Sequence, residues 1–105
     1  MRDIKLVCKV VAPDGASMCG ELQCNDWAFA AFVAAGIASK LTDGVTVVNV
    51  HYTDTKLTVY VVEPRELPEN VDHKAYCNVV TMTFNEVVLD FVGDYNAKAT
   101  VIDLD

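Results

Sequence analysis

The chain has 105 residues, a mass of 11.5 kDa and 52% hydrophobic residues, which suits one folded domain spanning residues 1–105 and excludes a disordered chain. Its formal net charge of −7 argues against direct contact with nucleic acid, whose phosphates call for clustered Lys and Arg, and favours a basic partner. No apolar run reaches the roughly 20 residues needed to cross a bilayer. The first residues lack the basic-then-apolar pattern of a signal peptide, so the expected location is cytoplasmic, with no membrane partner.

Residues 3–12, DIKLVCKVVA, alternate in polarity. Ile4, Leu6, Cys8 and Val10 point one way, and Asp3, Lys5, Val7 and Lys9 the other, which predicts a half-buried strand. Pro13-Asp14-Gly15 signals a turn, and residues 13–24 are expected to form a loop. The stretch 25–41, NDWAFAAFVAAGIASKL, carries no charge from Trp27 to Ser39. A surface helix shows a charged face every turn, so this helix is expected to be covered by its own sheet or by a second molecule. Asn25 is the expected N-cap, and Asp26 suits the positive helix end. At 100° per residue, Trp27, Phe29, Phe32, Val33, Ile37 and Leu41 fall on a broad arc that should face the sheet. Ala28, Ala31, Ala35, Ala38 and Ser39 fall opposite, and Asp43-Gly44 ends the element.

Residues 45–53 and 56–63 are rich in β-branched and aromatic side chains, with Asp54-Thr55 as a tight hairpin between them. Residues 64–73 form a polar connection. Residues 74–84 (KAYCNVVTMTF), 86–93 (EVVLDFVG) and 97–104 (AKATVIDL) read as further strands. The fold class so predicted is α+β: one apolar helix packed on a mostly antiparallel sheet of about five to six strands, in the order β-α-β-β-β-β-β.

Chemical motifs are sparse. Cys19 and Cys24 are separated by four residues, not by the two of a zinc knuckle, and His51 and His73 form no paired ligand motif. No metal or other cofactor is therefore expected, and the four cysteines are expected as reduced thiols. Cys19 and Cys24 lie in the expected loop before a helix N-terminus, where a thiolate would be stabilised. Ser17 and Ser39 lack the context of a nucleophile elbow. Asp26 would act as an acid or base only if the fold brought His51 or His73 beside it, and capping is its commoner role. No catalytic residue is assigned, and the chain reads as a binding protein rather than an enzyme.

Charge is concentrated near the C-terminus. Residues 86–105 hold five acids and one lysine, a net of −4, whereas residues 1–85 hold ten acids and seven bases, a net of −3. On a strand, Glu86, Asp90 and Asp94 would share one side, about 13 Å from one to the next. With Asp103 they are the expected partner-binding residues, imitating a phosphate backbone towards a basic, nucleic-acid-binding protein. Ala31, Ala35 and Ser39, small and four residues apart, would let two helices meet and are the expected contact of a homodimer.

In size and charge the chain resembles the small inhibitor proteins that bacteriophages use against host defences, including anti-CRISPR proteins and DNA mimics. That resemblance implies an inhibitor that occupies a host protein. A second resemblance covers residues 3–63. There, strand, glycine-containing loop and WAFAAFVAAGIASKL followed by VTVVNVHYTD are similar in pattern to the hotdog family. It implies a helix inside a curved antiparallel sheet, a dimer, and acyl-CoA thioesterase or ligand-binding activity. The helix interior lacks the acidic residue those enzymes often carry, which leaves Asp26 as the position it would transfer to.

Overall fold

The alternation of residues 3–12 is realised as strand β1 (Ile4–Ala12) in a computed structural model. The structure describes residues 4–24, 26–41, 46–64, 66, 67, 69–95 and 100–102, with side chains as far as Asp90. Ile4, Leu6, Cys8 and Val10 are fully buried on one face of β1, as the pattern predicts. The chain then turns at once. Ala12 pairs with Gly15, so Pro13-Asp14 is a two-residue hairpin loop, and Gly15 takes φ +151°, a conformation side chains rarely adopt. The expected loop over 13–24 is thus a strand, β2 (Gly15–Cys24). Its periodicity was hidden for two reasons. Its buried positions are filled by Cys19, Leu22 and Cys24 rather than by β-branched residues, and a bulge breaks its alternation. Cys8 faces Gly20 but Lys9 faces Met18, leaving Cys19 as the extra residue. Before the bulge β1 is matched by Leu22 and Cys24 on the core face; beyond it, Ser17 is brought opposite Val10 on that same face.

Helix α1 (Trp27–Leu41) begins at Asp26, whose carboxylate accepts the Ala28 N–H at 2.9 Å and whose carbonyl accepts the Ala30 N–H at 3.1 Å. Asp26 is therefore the N-cap, one residue after the expected one. Asn25 and the Asp43-Gly44 stop lie outside the described residues. The buried stripe is Phe29, Ala30, Val33, Ala34 and Ile37. Trp27 and Phe32, expected against the sheet, are 39% and 46% exposed. The helix is rotated from the expected setting because it packs sideways on a second helix as well as down on the sheet.

That second helix, α2 (His73–Tyr95), corrects the strands expected over 74–84 and 86–93. Tyr76, Cys77, Val80, Phe84, Val87 and Val88 recur at intervals of three and four and face the core. The β-branched run through NVVTMTF masked this stripe. Two threonines are accommodated by donating back to the helix, Thr81 to the Cys77 carbonyl and Thr83 to the Val79 carbonyl. Asp72 caps the start, accepting the Ala75 N–H at 2.8 Å.

Strands β3 (Val47–Tyr52) and β4 (Lys56–Val62) form the expected hairpin around Asp54-Thr55, closed by the Thr53 N–H donating to the Lys56 carbonyl at 2.8 Å. A three-residue strand, β5 (Thr100–Ile102), pairs with β2. The sheet order is β3-β4-β1-β2-β5. The fold is α+β as expected, but the sheet is mixed: β1 and β4 run parallel at its centre, because α1 and the hairpin carry the chain back across. α1 and α2 contribute to a single core together with the inward residues of β1, β2 and β4. Two helices beside each other on a mixed sheet differ from the single helix inside an antiparallel sheet that the hotdog resemblance implies. Among the described residues no helix is long and apolar enough to cross a membrane.

Burial has a measurable consequence for two thiols. Cys8 and Cys19 are each pushed up from 9.0 to about 12, first by loss of hydration, and for Cys8 also by Cys19, for Cys19 also by Cys77. A thiol with a raised folded pKa leaves stability intact below pH 9 and removes it as pH rises from there towards 12, because only the unfolded chain ionises. Each buried thiol is expected to contribute a slope of about −1.4 kcal/mol per pH unit in that window. Urea titrations at pH 8, 9.5 and 10.5 should therefore show a shallower loss in Cys8→Ala than in wild type. Parallel pH profiles would refute it.

Candidate functional site

The rotation of α1 leaves its small residues uncovered. Ala31 and Ala35 are exposed, and with Ala34 and Ala38 they form one wall of an apolar groove of about 410 Å³. Val50, Tyr52 and Leu57 form the opposite side, and Trp27 lies at its end. Trp27 and Tyr52 meet edge-on, with ring centroids 6.5 Å apart and planes at 82°. Tyr52 is nevertheless 77% exposed and Val50 46%, so the groove is open. A second depression, lined by Trp27, Tyr52, Thr53 and Asp54, adjoins its aromatic end, so that an acidic residue borders the groove there.

The groove runs along an unpaired sheet edge. Among the described residues β3 is the last strand on its side. Thr53 and Lys56 form a hydrogen-bonded pair, so in the antiparallel register the residues bonded to β4 alternate as Thr53, His51, Asn49 and Val47. The intervening Val48, Val50 and Tyr52 turn their N–H and C=O groups outward. Their side chains lie on the helix face, opposite Val61, Val59 and Leu57. Backbone donors, backbone acceptors and an apolar groove are thus presented together, and β3 contains none of the Lys or Pro residues that commonly blunt an edge.

The expected site residues are distributed differently. Ala31 and Ala35 line the groove, while Ser39 is exposed on α1 away from it. Glu86, Asp90 and Asp94 lie on a helix, not a strand, about 6 Å apart along its axis rather than 13 Å. Glu86 and Asp90 flank Lys40 of α1, at 3.8 and 3.6 Å, and both remain well exposed, so these pairs contribute little. Asp94 lies in α2 beyond the described side chains, and Asp103 lies outside the described residues. Asp26 is engaged as a cap, and His51 meets the Tyr60 ring edge-on.

His73, the first residue of α2, lies between Glu63 and Ser17: its Nδ1 meets the Glu63 carboxylate, and its Nε2 is 2.8 Å from Ser17 Oγ. The thiolate-stabilising loop expected at Cys19 and Cys24 is instead a buried strand in which Cys19 resists ionisation. Among the described residues no group of three or more His, Cys, Asp and Glu side chains could hold a metal ion. Trp27 and Tyr52 suit an interface or a core equally well as residue types, and their meeting at the end of the groove carried no joint signal in the sequence. No family model matches the sequence, and neither a curated protein nor a solved structure resembles it significantly.

Proposed function

We propose that this chain is a protein-binding module that takes an extended segment of a partner along the free edge of β3, with an apolar side chain of that segment seated in the α1–β3 groove. The observation that carries this reading is the coincidence of outward backbone groups at Val48, Val50 and Tyr52 with the apolar groove beside them. Strand addition draws affinity from main-chain hydrogen bonds and specificity from pockets for alternate side chains, and both elements are present here. The net charge of −7 and the position of Asp54 beside the aromatic end favour a partner segment with Lys or Arg next to its apolar residue. The exposed carboxylates of Glu86 and Asp90 act with the rest of the negative field in steering such a partner. An inhibitor that blocks a basic host protein falls within this reading.

Selection from a random-peptide library tests it. The expected result is convergence on an extended β-branched or aromatic motif flanked by basic residues. Binding of the selected peptide should change the fluorescence of Trp27, the sole tryptophan, which lines the groove. A selection that fails to converge, or a peptide whose binding leaves Trp27 unchanged, counts against the groove.

A further inference from the structure

Ser17, His73 and Glu63 come from three separate elements, and the sheet brings them together for stated reasons. Glu63 follows β4, and its N–H donates to the Val11 carbonyl at 2.8 Å, so the chain there still runs beside β1. Two residues on from Val61, it lies on the helix face. Ser17 lies across β1 on that same face only because of the bulge at Cys19; without the extra residue it would face the other side. His73 opens α2 above the gap between them. Glu63 is 10% exposed in its side chain and His73 is 41% exposed, so the carboxylate is sheltered while the imidazole faces a cleft of about 650 Å³. An ionised carboxylate only accepts, so Nδ1 donates to Glu63, and in the neutral ring Nε2 accepts from the Ser17 hydroxyl.

We propose that Ser17, His73 and Glu63 form an acyl-transfer centre that hydrolyses a small carboxylic ester. Ser17 Oγ is the nucleophile, His73 the general base and acid, and Glu63 the positioning residue that holds the imidazole in the required tautomer. Oγ attacks the carbonyl carbon as its proton passes to Nε2. The bond from that carbon to the alkoxy oxygen breaks, and the leaving alcohol takes the proton from Nε2. Water then attacks the acyl group on Ser17 and gives a proton to Nε2; the Ser17–acyl bond breaks, and Oγ recovers that proton as the carboxylic acid leaves. The Asn78 amide and the Lys74 ammonium on the cleft wall are the side-chain donors available to the developing oxyanion. Cys77 Sγ, 3.6 Å from Nε2, is the competing nucleophile.

A tagged alkyl fluorophosphonate, read by intact mass and peptide mapping, tests the assignment. The expected result is one adduct on Ser17, absent in Ser17→Ala and formed about 100-fold or more slowly in His73→Gln. Glu63→Gln should slow labelling, and Glu63→Asp should recover part of the rate. Circular dichroism verifies that each variant is folded. Folded wild type without an adduct, an adduct on Cys77 instead, or an unchanged rate in folded His73→Gln would each overturn the proposal.

Discussion

Replacing Phe84 by alanine is expected to lower stability by about 3–5 kcal/mol, a large part of what a domain of this size possesses. Phe84 is fully buried, and its ring lies directly over Gly20 of β2. A Cβ on Gly20 would come within 2.7–3.0 Å of three ring atoms, closer than real contacts allow. The glycine is therefore there to let the helix seat its ring on the strand backbone, and Gly20→Ala should itself cost about 1–3 kcal/mol through overpacking. The two sites are expected to couple. In the Phe84→Ala background the added methyl fills space instead of colliding, so the double variant should be more stable than the sum of the single losses requires. Urea denaturation of the four proteins measures this. Strict additivity would show that the ring does not rest on Gly20.

Val50→Pro is expected to weaken binding of a peptide selected on wild type about tenfold or more while leaving the fold nearly intact. The Val50 N–H points away from β4, so its loss breaks no rung of the existing ladder, and proline is tolerated on an edge strand in that orientation. An incoming strand would lose one backbone donor and leave a carbonyl unsatisfied, worth about 1–3 kcal/mol, hence the tenfold figure. Val50→Ala is the necessary control because it trims the same groove residue but keeps the N–H. Fluorescence titration should place alanine near wild type and proline well below it. Equal affinities for the two would remove strand addition from the account.

How far the site was legible varies residue by residue. The small arc through Ala31 and Ala35 was readable as a surface for close approach because helical periodicity sorts side chains by size without reference to the rest of the fold. Its use as the wall of a groove was not, since that depends on where α2 pushes α1. Glu86 and Asp90 share one side of α2, where both approach Lys40, because four-residue spacing aligns residues on a helix as it does on a strand; the distance between them differs from the expected one because the element is a helix. Ser17 and His73, 56 positions apart, carried no joint signal.

By itself the sequence determined β1, the apolar helix of residues 27–41 and the β3–β4 hairpin, because in each the local pattern and the turn chemistry agree. It also determined the acidic charge and the class α+β. Tertiary structure alone decided three things. It made residues 73–95 a helix against their β-branched composition, because a helical stripe that includes Val80, Phe84, Val87 and Val88 could cover the sheet beside α1. It placed β1 and β4 side by side and parallel, leaving β3 as an open edge among the described residues. And through one extra residue at Cys19 it turned Ser17 towards His73. Local patterns record how a segment can be buried; which neighbour buries it, and which edge stays free, is settled only by the packing of the whole chain.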